Sequence, residues 1–354
     1  MSTSLLKTIT RSCFSNIKRH TNQIRLASKY KAAVVRSESS QSLEIEERKR
    51  SKLQPDEVRI QVHYCSVNSG DVVNFKNPAH GFPFTPGYEF AGEVVEVGNK
   101  ITKADVLEGE KVAALNLKRF GGFAEECVVN IKDIFRLPSN VQPKDAAVIV
   151  SGHSIAMFAF SRIRELKETD YVLVTAGAAG LGLAAVDVAA NVYKAKVISV
   201  VDSAERAELA RNRGAFQTVL FTPKLPKKVI GSTEHGKGVD IVYDAVGEHM
   251  LETIGQCVAS GGSIFHVAPT MLYKTIPAPR PNCNLMILSL LELRQQNVEL
   301  YRTVVNETLE LADEGTVSAF ISANYNFNEH DLNKAIDFSQ EEKTTGKILI
   351  KVLN

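Results

Sequence analysis

The stretch Tyr171-Val-Leu-Val-Thr-Ala-Gly177-Ala178-Ala179-Gly180-Leu181-Gly182 governs the reading of this 354-residue chain. Its first half is a continuous apolar run, as in a strand buried on both faces of a sheet. Its second half is a glycine-rich turn, and Leu181–Tyr193 behind it reads as a helix. Glycines at a strand-to-helix turn let the backbone approach a pyrophosphate, whose charge then sits at the helix N-terminus. Gly177 and Gly182 fill the outer slots of G-x-G-x-x-G, and Ala179 takes the middle one. A glycine-rich connection with no ligand is the alternative reading.

Downstream, strand and helix alternate at intervals of roughly 20–30 residues, the spacing of βαβ units. Predicted strands are 171–175, 196–201, 218–221, 239–244 and 263–267, with a further apolar run at 284–290. Predicted helices are 181–193, 204–213 and 249–259, followed by a long amphipathic stretch at 296–313. Buried strands separated by helices mean an α/β domain with a doubly wound parallel sheet. Upstream, from about Tyr30 to Val150, the pattern is short strands and Gly/Pro turns. Val58–Val62 alternates apolar and polar, and Gly92–Gly98 and Lys111–Leu115 add further strands. Regular turns between them predict a β-barrel-like domain.

Composition sets limits on function. Apolar residues are 44% and charged residues 23%, ordinary values for a globular protein that exclude collagenous and largely disordered classes. No uncharged run approaches the ~18–20 residues of a membrane span, so no membrane insertion is expected. Cysteines 13, 65, 127, 257 and 283 are far apart, with no C-x-x-C pair from which to build a zinc ribbon. The net charge of +2 includes seven cations and no acid in residues 1–31, which leaves about −5 for residues 32–354. That first segment interleaves Lys7, Arg11, Lys18, Arg19 and Arg25 with Leu5, Leu6, Ile9, Phe14 and Ile17. It reads as a mitochondrial transit peptide over 1–28, cut near Arg25-Leu26-Ala27-Ser28, which predicts a matrix location. A basic tail touching nucleic acid or lipid is the alternative. The mildly acidic remainder has no basic stripe, so no nucleic-acid partner is expected.

The cofactor's ribose end reads two ways. Asp202 ends the second predicted strand 20 residues after Gly182, where an acid binds the ribose 2′-hydroxyl of NAD. Asp202 and Glu205 are equally spaced as the N-cap and N3 of the next helix. Arg206, one turn into that helix, offers a guanidinium fork to a 2′-phosphate. Gly231–Lys237 is a near-miss for a P-loop, because Gly238 stands in the Ser/Thr position and a strand follows. Gly152-His153-Ser154-Ile155-Ala156 misses the nucleophile-elbow pattern of hydrolases. The eight histidines show no metal-ligand spacing.

From about Tyr30 to the C-terminus the chain resembles the zinc-free, zeta-crystallin-type quinone oxidoreductases of the medium-chain dehydrogenase/reductase superfamily. The motifs that carry this resemblance run in the family's order: Val67-Asn68-Ser-Gly-Asp71, Phe84-Thr-Pro86-Gly87-Tyr88-Glu89-Phe-Ala-Gly92 and Gly121-Gly122-Phe123-Ala124-Glu125. They continue as Ala176–Gly182, Gly238-Val-Asp240-Ile-Val-Tyr-Asp244-Ala-Val246-Gly247 and Thr345-Gly346-Lys347. The resemblance implies a GroES-like β-barrel domain at 30–150, a Rossmann domain at 151–292 and a return to the first domain over 293–354. It also implies a cofactor cleft between the domains and a homodimer formed through edge strands.

In zinc-dependent relatives a Cys stands at Asn68 and a His at Tyr88, and neither an amide nor a neutral phenol is a good zinc ligand, so no zinc is expected. Without a Lewis acid, reduction of an electron-poor acceptor is favoured over alcohol oxidation. The resemblance implies cofactor contacts at Asn68 and Ser154 beside the nicotinamide, and at Gly177, Ala178, Ala179, Gly180, Leu181 and Gly182 around the pyrophosphate. It adds Val246 at the nicotinamide side, Lys347 in the terminal motif and Arg206 at the ribose, while Asp202 remains a ribose candidate from its place at the strand end alone. Aligned on Gly214-Ala215, Val201 falls in the acidic slot and Arg206 where relatives carry a phosphate-binding Lys, which favours NADP(H) over NAD(H).

A family Tyr before the Pro-Phe-Thr-Pro-Gly segment is missing, the Phe75–Gly81 segment is shortened, and Ala268 replaces a usual glycine. His80 and His153 are incidental residues or proton sources, and no catalytic residue is assigned beyond Asn68 as a positioning group. The expectation is therefore an NADPH-dependent reductase of quinones or α,β-unsaturated carbonyls, with a small electrophilic acceptor as its partner. A 2-enoyl thioester reductase and a non-catalytic NADPH-binding protein are the alternatives.

Overall fold

The computed structural model describes residues 29–353 apart from 41, 77, 79–80, 248–249, 268–281 and 342–343. The expected transit peptide, His80 and Ala268 lie outside the described residues.

Strands β1 (Lys29–Val34) and β2 (Glu44–Lys49) form an antiparallel pair at the start of the described chain. The first large sheet is built on β3 (Glu57–Val67) and β4 (Glu89–Val97), with β5 (Lys111–Leu115), β6 (Glu126–Asn130) and β7 (Ile134–Arg136). Both ends of β3 are buried, because β4, β6 and a late strand of the chain all pair with it.

The second sheet comprises β8 (Tyr171–Val174), β9 (Lys196–Val201), β10 (Gln217–Leu220), β11 (Val239–Asp244), β12 (Val258–His266) and β13 (Asn284–Ile287). All its pairings are parallel, in the order β10-β9-β8-β11-β12-β13. Counted from β8 this is 3-2-1-4-5-6, the doubly wound nucleotide-binding order. The inner strands read as continuous apolar runs because they are covered on both faces: five of the six residues of β9 are buried.

The expected amphipathic stretch at 296–313 is the helix Val298–Asp313, preceded by a separate helix, Leu290–Gln296. Asn297 separates them, its Oδ1 accepting from the Leu300 N–H at 3.0 Å as an N-cap. On the second helix Tyr301, Val304, Val305, Thr308 and Leu309 are buried, the i, i+3, i+4, i+7, i+8 stripe of a core-facing helix. Tyr301 meets Phe135 of β7 edge to face at 5.6 Å, so this helix joins the core where the two sheets meet. Position 293 falls inside the first of these helices. The chain re-enters the first sheet at β14 (Ile321–Asn326) and β15 (Lys347–Lys351), with β15 pairing onto β3. Among the described residues no single helix is long and apolar enough to cross a membrane.

Candidate active site

The strand order reverses between β8 and β11, and a cavity of about 580 Å³ opens there, walled on its other side by the end of β3, the helix Ser69–Lys76, Tyr88 and the start of β15. Ligands of open α/β sheets bind at this switch point. The glycine turn after β8 forms one wall. A Cβ on Gly177 would lie 1.9 Å from Ser199 Oγ, and one on Gly182 would lie 2.2 Å from the Ala176 carbonyl oxygen. Gly177 thus lets the turn lie against β9, and Gly182 lets the helix start directly above the strand. The helix Gly180–Asp187 begins after Ala179, which has no side chain to cap it, so its leading N–H groups remain available to an anion. Gly346 reaches across from the other domain, its N–H donating to the Ala178 carbonyl at 2.8 Å. These features fit a dinucleotide pyrophosphate.

At the end of β9 the helix Ala204–Asn212 begins. Its N-cap is Ser203, whose Oγ accepts from the Arg206 N–H at 3.2 Å. This corrects the capping pair read from Asp202 and Glu205: the helix starts one residue later than that spacing assumed. Asp202 is released from capping and pairs with the Arg206 guanidinium, which also donates to the Thr344 carbonyl. Both side chains line the cavity.

The opposite wall is the loop after β11, held by a buried network. Thr175 Oγ1 donates to Asp244 Oδ1 at 2.9 Å and accepts from the Ala245 N–H at 2.8 Å. The same carboxylate accepts from the N–H groups of Val246 and Gly247, and its other oxygen lies 2.9 Å from His266 Nδ1. Burial alone would raise the Asp244 pKa, but His266 and these donors outweigh it and hold it below its ordinary value. The network fixes Val246 at the cleft.

The floor is a second buried cluster. Glu89 is fully buried, and its Oε2 accepts from Lys347 Nζ at 2.8 Å, Ser66 Oγ at 2.6 Å and Asn68 Nδ2 at 3.1 Å. Its Oε1 accepts from the Ser151 N–H at 2.8 Å. Burial pushes this carboxyl's pKa up, and the Lys347 ammonium with the other donors brings the net shift below the ordinary value. Lys347 Nζ also donates to Asn68 Oδ1 and, at 3.4 Å, to Ser151 Oγ. Asp71 accepts from the N–H groups of Asn68 and Gly87, and burial raises its pKa to about 7.

Of the residues expected from sequence, all but Ser154 and Gly177 line the cavity. Gly177 lies behind the turn against Ser199, while Ser154 is fully buried and donates to Thr308 Oγ1 at 3.1 Å on the helix Val298–Asp313. The residue of that segment that reaches the cleft floor is Ser151. His153 does not line the cavity either; its Nε2 lies 3.2 Å from Asp187 Oδ2. Tyr88, read from sequence only as a poor metal ligand, lines the cavity beside Asn68. The sequence signal for the floor was a glutamate inside the apolar strand around Phe90, since a carboxylate there requires a buried partner. Among the described residues no group of three His, Cys, Asp or Glu side chains is placed to hold a metal. A second cavity, of about 560 Å³, is bordered by Asp187, Arg213 and Phe320 and shares no residue with the cleft.

Residues 54–139 match the alcohol dehydrogenase GroES-like domain model, and residues 180–314 match the zinc-binding dehydrogenase model. Quinone oxidoreductase-like protein 2 of Bos taurus is 33% identical over 91% of this chain and 93% of its own length. Its Nematostella vectensis homologue is 31% identical over 90% and 88%. Among solved structures, Escherichia coli quinone oxidoreductase complexed with NADPH superposes with a TM-score of 0.80 at 20% identity, over 92% of this chain and 99% of that one. The fold is thus that of the medium-chain dehydrogenases, a GroES-like domain with a Rossmann-type parallel sheet, and the chain belongs to the quinone oxidoreductase-like family of these oxidoreductases.

Proposed function

We propose that this protein is an NADPH-dependent, zinc-independent reductase of quinones or related α,β-unsaturated carbonyls, working in the mitochondrial matrix as a homodimer. The observation that carries the reading is the composition of the cleft. A glycine turn and an uncapped helix suited to a pyrophosphate face a floor whose cation is an ammonium, Lys347. A reduced nicotinamide bound there supplies the hydride. Gly180 and Gly182 would hold its pyrophosphate, Arg206 a 2′-phosphate, and Asn68 and Val246 would bound the ring. The amide of Asn68 and the phenol of Tyr88 are poor zinc donors, which supports chemistry on an acceptor already electron-poor enough to take a hydride. The cationic, acid-free segment before residue 32 supports the mitochondrial assignment. Among the described residues β10 and β13 end the parallel sheet, and such edges support dimerisation.

The test uses the chain from Ser28 onward. Loss of reduced-nicotinamide absorbance is followed with an ortho-quinone, comparing NADPH with NADH. Saturable oxidation preferring NADPH is expected. NADPH binding without turnover on any acceptor would favour a cofactor-binding protein without catalysis.

A further inference from the structure

We propose that Tyr88 is the acid that protonates the acceptor as it is reduced, and that Ser151 and Lys347 form the route by which its proton is replaced. The inference rests on the reductase reading above.

Four titratable side chains line the cleft among the described residues: Tyr88, Asp202, Arg206 and Lys347. Asp202 and Arg206 pair with each other at the end of β9, and the Lys347 ammonium is bound by Glu89 and Asn68. Tyr88 is thus the cleft-lining acid not already held in an ion pair. Its ring is held in place on two sides. A Cβ on Gly70 would lie 3.1 Å from Tyr88 Cε1, and the Phe120 ring meets it edge to face at 5.6 Å and 88°.

The phenol's surroundings keep it neutral, with its proton in place until an acceptor oxygen gains negative charge. Burial raises its pKa well above the ordinary tyrosine range, and the carboxylates of Glu89 and Asp71 and the thiol of Cys65 add to that effect. The Ser151 hydroxyl opposes this rise, and Ser151 is held at this point by its N–H, which donates at 2.8 Å to Oε1 of Glu89, the residue next to Tyr88 in the chain. Ser151 Oγ in turn accepts from Lys347 Nζ at 3.4 Å. A phenol, a hydroxyl and an ammonium therefore form a series whose two ends, Tyr88 and Lys347, line the cleft, with Ser151 behind them. Such contacts are often long before substrate binds and shorten in the complex.

The balance is as follows. Hydride arrives at the acceptor carbon from the reduced nicotinamide, and the acceptor's π electrons move onto its carbonyl oxygen. A bond forms between that oxygen and the Tyr88 proton as the phenol O–H breaks. The Ser151 proton passes to the phenolate, a Lys347 proton passes to Ser151, and water reprotonates the amine. The sum is one hydride from the cofactor and one proton from water.

The test compares the wild type with Tyr88→Phe and Ser151→Ala, using 2-cyclohexenone and an ortho-quinone. Tyr88→Phe is expected to lower turnover of 2-cyclohexenone by about 100-fold, within the range of general acid catalysis. The ortho-quinone is affected less, because its reduced anion is more stable. Ser151→Ala is expected to become dependent on buffer concentration, since an outside acid must then reprotonate Tyr88.

A readout independent of turnover is the ring-carbon resonance of Tyr88 in cofactor-free protein carrying labelled tyrosine, assigned by its loss in Tyr88→Phe. It is expected to move on addition of 2-cyclohexenone. Wild-type enzyme inactive on both acceptors would overturn the reductase reading and this inference with it. An active wild type with unchanged Tyr88→Phe turnover, or a resonance unmoved by 2-cyclohexenone, would overturn the acid role of Tyr88 alone. Buffer-independent turnover in Ser151→Ala would overturn the relay.

Discussion

Lys347 Nζ and Glu89 Oε2 lie 2.8 Å apart, both buried, and join strands β15 and β4 across 258 residues of chain. Removing one partner of such a pair leaves a buried charge without compensation, typically a loss of about 3–5 kcal/mol. Lys347→Met is therefore expected to lower the unfolding free energy by about that amount at neutral pH, as measured in urea. The sign with pH follows from Glu89, whose folded pKa lies below its unfolded value. Its contribution is present above the unfolded carboxylate pKa and is lost as pH falls through the folded one. The deficit of Lys347→Met should therefore shrink in acid, and adding Glu89→Gln should recover part of it at neutral pH. A deficit independent of pH would show that the pair carries no linkage.

Asp71 behaves in the opposite sense. Its pKa is raised from 3.8 to about 7, chiefly by burial, against the pull of the two backbone donors Gly87 and Asn68. Between those two values the unfolded chain has released the proton that the folded one still holds. Stability therefore falls as pH rises from about 4 to about 7, by roughly 4 kcal/mol for a shift of that size. Asp71→Asn is expected to flatten that slope in urea unfolding curves collected across the interval. An identical slope in the variant would assign the pH dependence to other groups.

These two carboxylates show where the sequence was legible and where it was not. The parallel sheet could be read because its strands are continuous apolar runs: two predicted boundaries, 196–201 and 239–244, coincide with β9 and β11. The glycine turn was legible because its glycines answer to local sterics. The floor of the cleft was not, since Glu89, Ser151 and Lys347 meet only after β15 returns to β3, and no local spacing encodes that pairing. The place of Ser154 was not legible for a related reason. Within one helical turn the register decides whether a hydroxyl faces the cleft or the helix Val298–Asp313, and Ser154 faces the helix.

The glycine turn gives a contrast between neighbouring positions. A Cβ on Gly182 would meet backbone at 2.2 Å, whereas one on Gly180 would come no closer than 3.5 Å, to the Gly346 carbonyl oxygen. Gly182→Ala is expected to cost about 1–3 kcal/mol, the range for overpacking a filled site. Gly180→Ala should match the wild type in thermal unfolding without ligand. Equal melting temperatures for the two variants would refute the steric account of Gly182.

The proposed preference for NADPH rests on Arg206. Its guanidinium lines the cleft, is anchored by Asp202 and the Thr344 carbonyl, and lies at the end of β9 where a dinucleotide's adenosine ribose would rest. A charge-assisted hydrogen bond to a phosphate is worth about 1.5–3 kcal/mol, so Arg206→Ala should weaken NADPH binding by about 10- to 100-fold. NADH, which has no phosphate at that position, should bind nearly as before. Arg206→Glu should go further for NADPH, because the new carboxylate would face the phosphate beside Asp202 and repel it. It should spare or improve NADH, since either acid can accept from a ribose hydroxyl. Titration of both coenzymes by nicotinamide fluorescence checks this without any acceptor present, so the result does not depend on which acceptor the enzyme uses. If the ratio of the two affinities is the same in Arg206→Glu as in the wild type, the residue is a charge on a helix face, and any preference for NADPH comes from elsewhere in the cleft.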